Sequence, residues 1–442
     1  AAGFAEQQEA DAFAATPGSG YLIRDGAIVA WRCPAHVDPA RSGFRIVGAH
    51  TDSPALKLKP QPNASGSGWQ QAAVEIYGGP LLNQWLDREL GVAGRVITRE
   101  GRQVLVSTPA WLRVPQVAPH LDRSVNESLH LDRQQHLKPV FSVGRPDLDL
   151  LELIAAQAGL DAADVVAHDL YCHVTQPPAV FGPTGEFFAS SRLDNLSSVH
   201  AGVAALLAAE EGDDITVVAA FDHEEVGSGS RSGAAGPLLE QVLRRIAGAL
   251  GVEGEAWQRM LARSSCISAD AGHAVHPNYP HLHDPDHRPL LNAGPLLKHN
   301  ANLRYTTDAA GNALWRRACA AADVQWLDQS VHATGLRLCR LPSGWLGFER
   351  SFRFDYSYDG VERHSGRMVL LDSITDYGDH HLTATAAIGE DHILLQNGHL
   401  PCMLGMEIMA QGIAALTGCH AANAGQPIRL GFLLGTQIGR AS

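Results

Sequence analysis

The chain has 442 residues, 45% of them hydrophobic and 18% charged, an ordinary composition for a folded protein of two or three domains. Its formal net charge of −13 is spread along the sequence instead of gathered in a tail, so charge offers no reason to bind nucleic acid or an anionic membrane. No run approaches the roughly eighteen uninterrupted apolar residues of a membrane span and no basic-then-apolar leader opens the chain, so a cytoplasmic location is expected.

The chain opens at Ala1 without a methionine, in what reads as the tail of a helix, and a segment upstream is expected. The apolar run Phe44 to Ala49 before His50 reads as a buried strand, as do Ile215 to Phe221 before Asp222 and Cys266 to Ala269 before Asp270. From Pro54 to Glu186 the texture changes to short valine-rich runs broken by Gly and Pro, with helix only near Leu150 to Ala163. That stretch reads as a mainly β domain inserted into the first. Leu196 to Glu210 and Pro237 to Leu250 carry helical periodicity, the second with Pro in its first turn and Gly251 beyond its end. Strands alternating with helices predict an α/β fold, a mainly parallel sheet covered by helices on both faces, formed by residues 1–53 and 187–324. Pro295 to Leu297 reads as one more strand, leading into Lys298. Residues 325–363 are left as a junction without assigned structure, and an apolar helix is expected at Met403 to Leu416. Seven cysteines, odd in number and without close pairs, argue for reduced buried thiols and against a disulfide framework.

Four segments at strand ends carry carboxylates or histidines: 48–54, 191–195, 221–228 and 268–273. In open α/β sheets the chemistry gathers beyond the carboxyl ends of the strands. A mixed imidazole and carboxylate set suits zinc or another divalent transition ion. Two such ions need a carboxylate between them, and Asp194 is the candidate bridge. Asp52 can accept from the ring nitrogen of His50 that faces away from the metal. Of the adjacent pair Glu224 and Glu225, one can bind metal while the other holds its proton beside an attacking water. Each piece has an ordinary structural reading: a histidine near an aspartate is commonly surface, two glutamates a solvated face, and His200 a satisfied core histidine. Four such segments at successive strand ends outweigh those readings.

These residues resemble the aspartyl aminopeptidase family of dinuclear zinc peptidases, through GAHTDSP, VEIYGGPLLNQWLDREL, RLDNLSSVHAG, FDHEEVGS, SADAGHAVHPNYP and GPLLKHNANLRY, over residues 1–324. The resemblance implies His50, Asp194 and Asp270 around one metal, Asp194 and Glu225 on a second, Glu224 as general base, and Asp52 supporting His50. It implies peptide substrates with an acidic first residue, and a dimerisation role for residues 54–186 within a large hollow homo-oligomer. His120 matches a histidine that reaches a neighbouring subunit's site, and His273 and Lys298 match positions near the substrate. The chain departs from the family in lacking its later Cys-Gly-Ser-Thr and Met-His-Ser segments. The second zinc site is therefore expected to be incomplete.

From His364 the motifs HSGRMVLLD, NGHLP, GMEIMAQ and RLGFLLG look like a hotdog-fold 3-hydroxyacyl carrier-protein dehydratase. His399 and Glu407 would be its acid and base pair, and residues 364–442 read as an incomplete unit of that fold. The competing expectations are a working dehydratase segment with a passenger peptidase, or an inactive assembly scaffold.

Overall fold

The computed structural model describes residues 3–13, 18–210, 212–301 and 305–330, and the backbone of strands at 337–340, 373–377 and 382–385. The chain divides into two units, Ala1–Asp355 and Tyr356–Ser442. The first begins with β1 (Ala5–Glu6), β2 (Ser19–Arg24) and β3 (Ala27–Arg32), the last two closed by a tight Asp25-Gly26 turn with Asp25 at φ 54°. Next comes β4 (Phe44–His50), then a long excursion, β5 (Ala55–Gly66) to β11 (Val165–Val174). Between those two lie β6 (Trp69–Tyr77), β7 (Glu89–Thr98), β8 (Gln103–Ser107), β9 (Leu112–Arg113), β10 (Val140–Val143) and helix α1 (Leu150–Gln157). The hairpin β12 (Ala179–Phe181) and β13 (Phe187–Ala189) precedes α2 (Leu193–Ala208), β14 (Ile215–Phe221), α3 (Leu238–Ala249), α4 (Gly254–Ala262) and β15 (Ser265–Ser268). The unit continues with β16 (Leu296–His299), α5 (Ala309–Ala321), β17 (Leu327–Ser330) and β18 (Arg337–Arg340). β17 pairs in parallel with β16, and β18 pairs antiparallel with β15.

The first sheet runs β1-β2-β3-β14-β4-β15-β18. It is mixed, which corrects the expectation of a mainly parallel sheet. Its centre is parallel, β4 between β14 and β15, but the β2–β3 hairpin joins β14 antiparallel on one side and β18 joins β15 antiparallel on the other. Tight hairpins can only add antiparallel strands. The helices cover the two faces unequally. On one face α3 and α4 bury Leu238, Val242, Ile246, Trp257 and Met260 against Phe44, Ile46, Val217 and Ala219. On the other face α2 rests on Val47 and Val218 through Gly202, where an added Cβ would come within 3.3 Å of Val47. The outer side of α2 is open, and His200 on it is exposed, not the core histidine expected from the sequence. Among the described residues no helix is long and apolar enough to cross a membrane.

The second sheet, β11-β5-β6-β10-β9-β7-β8, has its own core of Leu56, Leu58, Val74, Leu90, Val92 and Leu170 under α1. Asp149 caps α1 by accepting from Leu151 and Glu152 N–H groups. Seven charges of alternating sign link the two sheets: Arg24, Glu9, Arg231, Asp25, Arg95, Asp169 and Lys57. Arg95 bridges them, 3.0 Å from Asp25 beside the first sheet and 3.0 Å from Asp169 on the second. Cys33, Cys172, Cys266 and Cys319 are buried.

In the second unit, β19 (Ser373–Tyr377) pairs antiparallel with β20 (Leu382–Thr385). The expected helix at Met403 to Leu416, and His399 and Glu407 with it, lie outside the described residues.

Phe44 is fully buried and meets Trp257 edge to face at 6.2 Å, so it anchors the strand that carries His50. Phe44→Ala should lower unfolding stability by ~3–5 kcal/mol in urea titrations. A cost under about 1 kcal/mol would mean that β4 is held by its hydrogen bonds alone.

Candidate metal centre

In parallel register Phe221 of β14 lies opposite His50 of β4, and Ser268 of β15 opposite Gly48. The chain leaving each strand therefore enters the same space: His50 to Asp52 after β4, Asp222 to Glu225 after β14, and Asp270 after β15. Asp194 arrives from the first turn of α2, at a break where Asp194 and Asn195 leave helical geometry. Hydrogen bonds tie these loops together. Ser53 Oγ donates to the Asp194 carbonyl at 2.7 Å, Asn195 Nδ2 to the Ala269 carbonyl at 2.9 Å, and the Thr51 N–H to the Phe221 carbonyl at 2.8 Å.

His50 sits at the centre, with its side chain 6% exposed. Its Nε2 lies 3.2 Å from Asp194 Oδ1, 3.4 Å from Asp270 Oδ1 and 3.9 Å from Glu224 Oε2. Its Nδ1 lies 3.1 Å from the Asp52 carbonyl oxygen and 3.4 Å from Asp52 Oδ1. Asp52 also accepts from the N–H groups of Glu224 and Glu225, at 3.0 and 3.1 Å, and from the Tyr77 hydroxyl at 2.7 Å. Two sets of donor atoms lie mutually within 4.8 Å: His50, Asp194 and Asp270, and His50, Glu224 and Glu225. The second set differs from the pairing of Asp194 with Glu225 that the resemblance implies.

The charges at this spot are unbalanced. Among the described residues no lysine or arginine forms an ion pair with Asp194, Glu224, Glu225 or Asp270. Burial disfavours a charged imidazole at His50, but Asp194, Asp270 and Asp52 outweigh it and raise its pKa to about 12. Burial is also the main force raising Glu224, to about 7; His50 opposes that rise while Asp270, Asp52 and Asp194 add to it. Glu225 goes to about 8 through burial and then Glu224. One imidazole among converging carboxylates, held from behind by Asp52, is a donor set that fits zinc.

Beside the cluster opens a cleft of about 1040 Å³ whose lining includes Asp52, Asp194, Tyr77, Arg88, Arg192 and His223. Of the remaining residues singled out in the sequence, His120 is exposed on the loop between β9 and β10 and His273 is exposed after β15. Lys298 is 1% exposed on β16, its Nζ 3.4 Å from the Tyr305 hydroxyl, and it is not among the residues lining the cleft. Sequence reasoning passed over Tyr77, Ser53 and Asn195. Tyr77 had a signal, since a polar aromatic ends the alternating run Val74-Glu75-Ile76 just before Gly78-Gly79. Ser53 and Asn195 act through hydrogen bonds between loops, which no local pattern reveals.

An imidazole and carboxylate cluster at the carboxyl ends of parallel strands, next to a cleft, defines a metal-dependent hydrolase on an α/β sheet. Residues 1–335 match the family model described as aminopeptidase I zinc metalloprotease (M18), and the chain belongs to that family of zinc-dependent aminopeptidases. It is 52% identical over 331 residues to a "Probable M18 family aminopeptidase 2" of Streptomyces coelicolor, covering 73% of this chain and 76% of that protein. A counterpart in Mycobacterium tuberculosis is 44% identical over 336 residues, covering 73% and 77%. Among solved structures, Ape4 in its cryo-EM complex with Nbr1 is similar at TM-score 0.72 and 30% identity, over 80% of each chain. The M18 aminopeptidase of Thermotoga maritima shares the fold at TM-score 0.66 and 23% identity, over 80% of this chain and 82% of that one. Residues 357–441 match a second family model, ApeP dehydratase, and residues 303–375 match a family of unknown function.

The raised pKa values fix the sign of a pH effect. In the metal-free protein Glu224 and Glu225 keep protons from their ordinary 4.5 up to about 7 and about 8, and His50 keeps its own from 6.5 up to about 12. The folded state thus binds more protons than the unfolded one, and its stability should fall as pH rises from about 5 to 8. Metal displaces those protons, so zinc uptake at pH 7 should release at least about one proton and tighten with rising pH. Calorimetric titration in two buffers of different ionisation enthalpy measures this release. Uptake without proton release would exclude His50 and Glu225 as ligands.

Proposed function

We propose that this chain removes an acidic first residue from peptides, with His50, Asp194, Asp270 and Glu225 as metal ligands and Glu224 as general base. The observation that carries this reading is the convergence of carboxylates from two strand ends and α2 on His50 Nε2, within 3.2 to 3.9 Å, beside an open cleft. Zinc, when bound, supplies Lewis acidity for the scissile carbonyl and for water. Glu224 accepts a proton from the attacking water at a carboxylate oxygen and delivers it to the departing amine nitrogen. In the metal-free protein burial already raises the Glu224 pKa, so its carboxylate binds a proton more readily than an exposed one. Asp52 holds His50 in one orientation from the Nδ1 side.

The two donor sets share a single imidazole nitrogen, which can bind one ion only. With Glu224 as general base, a second ion keeps only Asp194 and Glu225 among the described residues, too few for a tight zinc site. One strongly held zinc per chain, with a second held weakly, follows from that count; His332 and His364 lie outside the described residues. The acidic preference is proposed to come from Lys298, whose ammonium would favour a carboxylate over a basic side chain; it lies buried on β16, outside the residues that line the cleft. His120 is proposed to reach a neighbouring subunit's site, and His273 the substrate. Residues 54–186 are proposed to form the dimerisation surface of a hollow cytoplasmic homo-oligomer; one structural neighbour is described as a dodecamer.

The ApeP dehydratase match favours a second reading for residues 357–441, the hydration and dehydration of a 3-hydroxyacyl thioester with His399 and Glu407 as the acid and base pair. Assay of the full chain with a crotonyl thioester tests it, and no turnover would remove that activity.

Glu224→Gln should reduce kcat on aspartyl peptides by at least about 100-fold, with zinc content retained. Loss of zinc in that variant would make Glu224 a ligand. Lys298→Ala should weaken turnover of aspartyl and glutamyl peptides about tenfold or more while sparing alanyl ones. Equal losses on both would make Lys298 structural.

A further inference from the structure

The strand that carries Tyr77 belongs to the second sheet, yet its end touches the metal-binding loops at two points. The Tyr77 hydroxyl donates to Asp52 Oδ2 at 2.7 Å. One residue on, Gly78 has φ 72°, and a Cβ there would come within 2.9 Å of the Glu225 Cβ. Only glycine lets β6 run this close to Glu225.

Asp52 has a full set of partners. Oδ1 accepts from the Glu224 N–H and faces His50 Nδ1, while Oδ2 accepts from the Glu225 N–H and from Tyr77. An ionised carboxylate offers about four acceptor sites, and all are engaged. Tyr77 is itself fixed, edge-on to Tyr171 at 5.3 Å and tilted against His223 at 6.3 Å, with Lys57 Nζ 5.3 Å from the centre of the Tyr171 ring.

We propose that Tyr77 is a positioning residue for the metal centre: its hydroxyl locks the Asp52 carboxylate, and Asp52 in turn sets His50 and the Glu224–Glu225 backbone. The second sheet thereby contributes to metal binding within its own chain, apart from any part it plays between subunits. Without that donor the carboxylate can rotate or take a water, and both the imidazole and the two amides lose a fixed acceptor. The inference rests on the metal-centre reading above.

Cobalt binding to the full chain tests it, by chelator competition and by the visible absorption of the bound ion. Tyr77→Phe should weaken cobalt binding about tenfold, the scale of losses from outer hydrogen bonds to metal ligands, and alter the absorption spectrum. The melting temperature of the metal-free protein should stay near wild type, separating positioning from general stability. Asp52→Asn should weaken binding as well, and adding Tyr77→Phe to it should cost little more, because one path carries both effects. If Tyr77→Phe does not fold, 3-fluorotyrosine at position 77 keeps the ring and strengthens the donor, and cobalt affinity should then rise. Wild-type affinity and spectrum in the Tyr77 variant overturn the inference and leave the metal centre standing. No cobalt uptake by the wild-type chain overturns both.

Discussion

Because β4 pairs in parallel with β14 on one side and β15 on the other, three segments distant in sequence reach the same edge of the sheet together. The register leaves His50 beside Phe221 and Gly48 beside Ser268, so the polar residues that follow each strand have one place to go. A slip of one residue would turn every side chain of β4 to the other face, taking Phe44 out of the core and His50 away from its neighbours. The apolar contact between Phe44 and Trp257 and the alignment of His50 are thus two results of one constraint. Packing at one end of the strand holds the chemistry at the other.

That constraint also explains what could be read from the sequence. Phe44 to His50 and Ile215 to Phe221 are short apolar runs that end in histidine or acid, and the structure has strands over those residues. Helix α3 runs from Leu238 to Ala249, inside the stretch marked by Pro237 and Gly251. The mixed character of the sheet was harder to see, since an isolated apolar run carries no direction. Residues 19–32 hold a hairpin signal in Asp25-Gly26, which implies an antiparallel pair at that edge. His200 misled because α2 is apolar on more than one side, and only the packing through Gly202 tells which side is covered. Asp52 could be suspected from its spacing to His50. Its hold on the Glu224 and Glu225 amides could not, because it joins backbone atoms 172 and 173 positions away.

The chain carries two family matches in sequence, residues 1–335 to the M18 aminopeptidases and 357–441 to the ApeP dehydratases. Their chemistries share general acid and base catalysis but little else. The two matches fall in different units, Ala1–Asp355 and Tyr356–Ser442.

The row of alternating charges from Arg24 to Lys57 has a consequence for the medium in which the protein works. Four of its members, Asp25, Lys57, Arg95 and Asp169, also line the cleft. Their side chains are 23 to 39% exposed, so mobile ions reach them. The Debye length falls from about 10 Å at 0.1 M salt to about 3 Å at 1 M. Strong brine therefore loosens the seam between the sheets while leaving both apolar cores untouched. Ionic strength becomes a handle on how firmly the walls of the cleft are held together, separate from temperature and from pH.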